Sequence, residues 1–266
     1  MAMRENRLRT LLREGKPSLG TRLQSSWPTA TELVGHSRKF DYVEFLAEYA
    51  PYDLYALDNL GRAIELFPDF TGLIKMERSA QAHLAVRAMS AGIQNLLFTD
   101  VRSAEDAKEC VRIVRPETPE DSGTHGMAGG RSAAGGGPAA LVQSYRDGVI
   151  MLMIEKKGAI ENFEAILSVP GIDMVQFGPS DYSMSIGVAG ERNHPAVIEA
   201  REYMIRTALK MGVQPRAEIN EAREAEAYLE LGVRHFNIGT DTGTLSRWYA
   251  EQGGAMREML AKALKP

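Results

Sequence analysis

The 266 residues, 44% hydrophobic and 25% charged, suffice for a well-buried core and describe an ordinary globular chain. A formal net charge of −4 gives nucleic acid or an anionic membrane no electrostatic hold, and no apolar run reaches transmembrane length. The one cysteine, Cys110, excludes internal disulfides and thiolate metal clusters. That usage fits a reducing compartment, and a cytoplasmic protein is expected.

The opening segment, "MAMRENRLRTLLREG", is basic and amphipathic and lacks the apolar core of a signal peptide, which predicts an extra N-terminal helix. Strand-like apolar runs then recur at 18–24, 41–47, 72–77, 93–99, 149–155, 173–178, 213–219 and 234–239. Between them apolar residues return three and four apart, as at Leu54, Leu57, Leu60, Ile64 and Phe67, which marks one face of a helix. "SAEDAKEC" from Ser103 carries a capping signal with acid in the first turn. "NEAREAEAYLELG" closes on Gly232, a helix end just before the last strand. A long final segment from Thr244 to Lys262 predicts a C-terminal helix.

Eight strands alternating with helices demand a parallel sheet, either open and doubly wound or closed as a (β/α)8 barrel. Three features favour the barrel. No G-x-G-x-x-G follows the first strand. The length is near the roughly 250 residues usual for a barrel. Polar residues (Glu48, Glu77, Glu155, Asp181, Glu218 and Asp241) also collect at strand C-terminal ends, where barrels hold their active sites. The expectation is an α/β chain forming a single TIM-barrel domain over 1–266, with one extra helix at each end. Residues 121–138, "DSGTHGMAGGRSAAGGGP", interrupt the pattern as a glycine-rich insertion too long for a routine connection. Two readings are open for it: a mobile surface loop, or a lid or partner-subunit loop lying over the mouth of the fourth strand.

Two acids stand out by their delivery. Met151, Met153 and Glu155 share a face of the fifth strand by two-residue alternation. The run Ile172–Phe177 stops at Gly178-Pro179, and Asp181 follows, 26 residues and one βα unit after Glu155. Adjacent strands lie about 4.8 Å apart, so the two carboxylates can converge on one hard divalent cation; the plainer alternative is that each caps the helix after it.

The stretch "MIEKKGAIENFEAILSVPGIDMVQFGPSDYSMSIG" resembles the core motif of the 4-hydroxy-2-oxo-acid aldolases, the HpcH/HpaI family of class II pyruvate aldolases. The likeness extends through "GTRLQSSWPTATELVG", "AGIQNLLFTDVRSAEDAKECVRIVRPETP" and "LELGVRHFNIGTD", covering about 17 to 250. It implies Glu155 and Asp181 as ligands of Mg²⁺ or Mn²⁺, with Co²⁺ a further candidate. It also implies a small 2-oxo-acid substrate met around Gly178, Pro179 and Ser180, and a trimer or hexamer with the last helix packed on a neighbour. The implied reaction is retro-aldol cleavage to pyruvate or an analogue plus an aldehyde.

The chain departs from the family where the second strand ends. "D-G-E-H-A-P" is replaced by Leu46-Ala47-Glu48-Tyr49-Ala50-Pro51, so the Asp/His acid–base pair is absent. An unperturbed tyrosine, with a pKa near ~10, is a poor substitute for histidine as a base. The expected base is therefore a glutamate, Glu48 or Glu44, rather than Tyr49. The family's arginine beside the keto oxygen corresponds to Lys75 or, one register away, Arg78. A glutamine two residues before the metal-binding glutamate is Met153 here. Arg22, Glu44, Glu77, Arg216 and Glu218 add charge at strand positions, either as compensating pairs or as a recast substrate site. If strands two and three pair in register, Glu44 lies near Lys75. Among the histidines only His125, in the glycine-rich segment, is a candidate replacement base. Trp27 is a candidate pocket wall, and Asn237 and Asp241 are expected to shape the rim. Three functions stay open: a metal-dependent lyase, a decarboxylase or hydrolase using the same enolate, and a non-catalytic barrel that binds an oxo acid.

Overall fold

The computed structural model describes residues 4–131 and 136–264. Eight parallel strands close into a barrel in sequence order: β1 (Ser18–Leu23), β2 (Tyr42–Leu46), β3 (Thr71–Met76), β4 (Asn95–Phe98), β5 (Ile150–Ile154), β6 (Met174–Phe177), β7 (Gln214–Ile219) and β8 (His235–Thr240). Each falls within two residues of its expected run. Strands β2 to β6 are buried on both faces, which is why they read as near-continuous apolar segments.

Alternation divides the side chains into two cores. Inward-facing Tyr42, Leu73, Leu97, Met151, Met153 and Met174 fill the barrel, while Phe45, Ile74, Phe98, Leu152 and Val175 face the surrounding helices. The helix Arg7–Arg13 closes the N-terminal end of the barrel by burying Leu8 against the inner core. Burial of one leucine there is worth about 2 kcal/mol. Polar contacts fix this plug: Asn6 donates to Asn95 Oδ1 at 2.7 Å, and Arg9 pairs with Asp173 at 2.5 Å.

Local signals set the helix ends. Ser103 and Asp106 form the expected capping box of the helix Ala104–Val114. The helix Gln81–Ala91 stops at Gly92, whose φ of 98° suits glycine and returns the chain toward β4. The final helix, Asp241–Ala263, has no buried residue along its length. No helix among the described residues is long and apolar enough to cross a membrane.

The described part of the glycine-rich segment corrects the lid expectation. Ser90 Oγ donates to the Ala128 carbonyl, and Arg131 binds Glu65 at 2.7 Å and the Ala91 carbonyl at 2.9 Å. Glu65 and Ala91 end helices that run from the strand C-termini back to the opposite end. Its described residues therefore lie at the foot of the barrel, because the helix Ala104–Val114 has already descended before they begin. His125 is buried there, its Nδ1 at 3.2 Å from the Ile113 carbonyl and its ring 4.0 Å from that of Tyr145, so it does not reach the mouth. Residues 132–135 of this segment are outside the described residues.

Candidate active site

A cavity of about 350 Å³ opens at the strand C-termini, where barrel enzymes hold their chemistry. Its wall includes Arg22, Tyr49, Lys75, Glu155, Gly178, Pro179, Ser180, Asp181, Arg216 and Glu218. Most of the residues expected to touch metal or substrate thus come together, whereas Glu44, Glu48, Glu77, Trp27, Asn237 and Asp241 are not in this wall.

Glu155 directly follows β5 and is buried. Its Oε1 accepts the backbone N–H of Asp100 at 2.9 Å. Asp100 presents that N–H from a left-handed conformation, φ 57°, which a short polar side chain tolerates. Burial raises the pKa of Glu155 above the usual carboxylate range, opposed by the Asp100 N–H and by the charge of Lys75. Asp181 adds to the rise, so the two carboxylates are close enough to repel.

Gly178 ends β6 against Glu155. A Cβ there would come 2.6 Å from Glu155 Cβ and 2.7 Å from Oε2, so only glycine leaves this carboxylate its place. Pro179 then starts the helix Pro179–Ser185, and Asp181 sits in its first turn. Lys156 Nζ binds Asp181 Oδ1 at 2.7 Å and Asp100 Oδ1 at 3.0 Å.

Among the described residues no three or more His, Cys, Asp or Glu side chains cluster as a metal cage. Two hard carboxylates at a solvent-open cavity fit a Mg²⁺-like ion, which keeps most of its positions for water and substrate oxygens. Gly178, whose missing Cβ leaves room beside Glu155 Oε2, supports that fit.

Opposite these acids, Lys75 projects inward from β3. Its Nζ lies 2.7 Å from Glu48 Oε2, donates to the Tyr49 hydroxyl oxygen at 2.7 Å, and stands 4.6 Å from the Tyr49 ring centroid. Burial pulls the Lys75 pKa down, but Tyr49 and Glu48 outweigh it and the net shift is upward. The side chain is therefore a fixed ammonium. Tyr49 is pushed up by its own desolvation, which holds the phenol protonated. Glu48 meets the cavity through Lys75, with 24% of its side chain exposed.

The β2–β3 register pairs Lys75 with Leu46 and Glu44 with Leu73, so Glu44 is not the neighbour of Lys75 that an in-register reading predicts. Glu44 instead lies inside the barrel, 1% exposed, 2.6 Å from an Arg216 guanidinium that is 0% exposed. Arg216 Nε donates to Gln176 Oε1 at 2.6 Å, and Gln176 Nε2 donates to Glu218 Oε2 at 2.6 Å. Glu218 pairs in turn with Arg22. Four of the five added charges, Glu44, Arg216, Glu218 and Arg22, thus form one continuous chain through Gln176 from the barrel interior to the cavity wall.

The remaining expectations resolve by position. Arg78 is exposed and binds Asp106 at 2.7 Å and the Asp100 carbonyl at 2.6 Å, leaving Lys75 as the interior cation. Glu77 is exposed beyond the end of β3, and Trp27 is exposed and not part of the cavity wall. Asp241 receives the backbone N–H groups of Gln24 and Ser25, both at 2.9 Å, and so ties the loop after β1 to β8 as the rim expectation requires. Asn237 is interior and bound to Glu44. Sequence reasoning missed Asp100, Lys156, Arg192 and Arg201. The first two carry a readable signal: an acid at the end of the fourth strand and a lysine beside the predicted ligand Glu155.

The profile described as HpcH/HpaI aldolase/citrate lyase matches residues 76–247. The 4-hydroxy-2-oxo-heptane-1,7-dioate aldolase of Escherichia coli is 29% identical over 262 residues, covering 98% of each chain. The 4-hydroxy-2-oxovalerate aldolase of Novosphingobium aromaticivorans is 27% identical over 261 residues, covering 96% of each. The crystal structure of an HpcH/HpaI aldolase from Desulfitobacterium hafniense superposes with a TM-score of 0.86 at 27% identity, covering 97% of this chain and 98% of that one. With the profile spanning well over half of its length and both carboxylates of the family motif at the cavity, the chain belongs to the HpcH/HpaI aldolase/citrate lyase family.

Proposed function

We propose that this protein is a metal-dependent carbon–carbon lyase that cleaves a 4-hydroxy-2-oxo acid into pyruvate, or a close analogue, and an aldehyde. The observation that carries the reading is Glu155 and Asp181 in one cavity wall with the Lys75 ammonium. Mg²⁺ or Mn²⁺, with Co²⁺ as a third candidate, suits this oxygen donor set. When bound, such an ion supplies Lewis acidity to the oxo acid's oxygens and to the enolate charge.

The chain's own residues supply the rest. Lys75 places a permanent positive charge where the keto oxygen gains electron density. Glu48 takes the proton of the C4 hydroxyl, the C3–C4 bond breaks, and its electron pair becomes the enolate while the aldehyde leaves. Return of a proton to C3 completes pyruvate. Tyr49, protonated and bonded to Lys75, positions that ammonium. Arg22, Arg216 and Glu218 shape the wall that receives substrate.

The chain acts as one barrel domain in the cytoplasm, as a homo-oligomer of three or six subunits. Leu245, Trp248, Tyr249, Met256 and Met259 are all exposed on the final helix, and a neighbouring copy would cover them. A stable monomer in sedimentation at micromolar concentration would refute that assembly.

Leu46 and Tyr49, standing where an Asp/His pair is expected, favour a second reading: decarboxylation of an oxo acid such as oxaloacetate, which needs no base for a C4 hydroxyl. The deciding experiment incubates the Mg²⁺-loaded protein with a panel of 4-hydroxy-2-oxo acids and with oxaloacetate. Pyruvate and aldehyde released in equal amounts supports the lyase. Consumption of oxaloacetate alone transfers the assignment to the decarboxylase.

A further inference from the structure

Glu155 and Asp181 each have one carboxylate oxygen held and the other open to the cavity, and one neighbour accounts for both. Glu155 Oε1 accepts the Asp100 backbone N–H at 2.9 Å. Its Oε2 lies against Gly178, at the end of β6, the strand that delivers Asp181. Asp181 Oδ1 accepts from Lys156 Nζ at 2.7 Å, and the same Nζ is 3.0 Å from Asp100 Oδ1. Asp100 therefore reaches Glu155 through its backbone and Asp181 through Lys156. Among the described residues, Glu155 Oε2 and Asp181 Oδ2 have no hydrogen-bond partner of their own.

Asp100 and Lys156 are not part of the cavity wall; they stand behind the two acids. The left-handed backbone of Asp100, φ 57°, is uncommon for a residue with a side chain, and it aims the N–H at Glu155. Lys156 is only 17% exposed and bridges two carboxylates, which sets it apart from a loose surface pair. Its loop is anchored as well. The Lys157 backbone N–H donates to Ser185 Oγ at 3.0 Å, on the helix that bears Asp181. Arg102, 61% exposed and 3.7 Å from Asp100 Oδ1, offers no comparable hold.

We infer that Asp100 and Lys156 are positioning residues of the metal site. By occupying one oxygen of each ligand, they leave Glu155 Oε2 and Asp181 Oδ2 as the pair presented to the ion. This rests on Glu155 and Asp181 being the metal ligands, as proposed for the lyase. Charge and orientation pull in opposite directions here. An ammonium beside a ligand repels a divalent cation, so on charge alone its removal tightens binding. Loss of an orienting contact instead weakens metal binding, typically about 10- to 100-fold. The sign of the effect separates the two.

Calorimetric titration with Mn²⁺ compares wild type with Lys156→Met, Lys156→Arg, Asp100→Gly and the double variant Lys156→Met with Asp100→Gly. Glycine keeps the left-handed backbone and its N–H and removes only the carboxylate. Lys156→Met should weaken Mn²⁺ about 10- to 100-fold. Lys156→Arg should recover most of that loss, and Asp100→Gly should lose less than Lys156→Met. The double variant should bind about as weakly as Lys156→Met alone, because both changes act through one contact.

A raised Kd at unchanged stoichiometry marks lost positioning. A stoichiometry that falls while Kd stays at the wild-type value marks lost fold and overturns the role. Binding by Lys156→Met as tight as wild type or tighter also overturns it, as do additive losses in the double variant. If wild type itself takes up no Mn²⁺, the metal assignment fails and the positioning role falls with it.

Discussion

Lys75 Nζ and Glu48 Oε2 stand 2.7 Å apart, joining an ammonium on the cavity wall to the carboxylate proposed as the general base. The Tyr49 hydroxyl shares the same ammonium. Glu48→Gln should lower kcat on the order of 10²–10⁴-fold, the loss usual for a general base. Tyr49→Phe should cost less than about tenfold, because the phenol only positions Lys75. Steady-state kinetics on the best substrate of the panel checks both. A large loss in Tyr49→Phe with an active Glu48→Gln would reverse the assignment.

Gly178→Ala tests the cradle around Glu155. The added methyl would meet Glu155 Cβ at 2.6 Å and Oε2 at 2.7 Å, so the carboxylate has to move. Calorimetric titration with Mn²⁺ should report affinity weakened by about tenfold or more, the cost of displacing one of two charged ligands. Equal affinities would mean that Glu155 does not hold the ion from this position.

The strands were legible because their alternation with helical-period segments survives in the chain itself, and the Gly178-Pro179 break marks where Asp181 enters the cavity wall. Other features depend on three-dimensional relations that spacing does not encode. The register of β2 against β3 decides that Leu46, not Glu44, neighbours Lys75. The glycine-rich segment follows a helix that has already descended the barrel, so it ends at the foot although its composition suits a lid. Arg192 and Arg201 come from a loop and a helix flank, where strand-end patterns give no signal.

The buried Glu44–Arg216 pair should be strongly coupled. Arg216→Met leaves the Glu44 carboxylate uncompensated in the barrel interior, a loss of about 3–5 kcal/mol. Replacing both, as Glu44→Leu with Arg216→Met, should recover much of it, since an apolar pair of similar volume removes the stranded charge. Urea unfolding of the two single variants and the double gives the cycle. Additive losses would show that the pair is not a unit.

His235 makes stability depend on pH. It is buried beside Ser18, 2.9 Å from its hydroxyl, and burial, with the charge of Arg216, lowers its pKa from 6.5 to about 4. The unfolded chain takes up the proton first, so this contribution is intact above pH 6.5 and is lost as pH falls toward 4. The shift corresponds to about 3 kcal/mol. Unfolding free energies at pH 7 and near pH 4.5 should differ by about 2–3 kcal/mol less in His235→Gln than in wild type. Equal differences would place the acid sensitivity elsewhere.

Metal-dependent release of pyruvate from a 4-hydroxy-2-oxo acid tests the account most directly. EDTA should abolish release, Mg²⁺, Mn²⁺ or Co²⁺ should restore it, and Glu155→Ala with Asp181→Ala should stay inactive with any of them while keeping a native circular dichroism spectrum. Undiminished pyruvate release by that double variant in EDTA would contradict the assignment of Glu155 and Asp181.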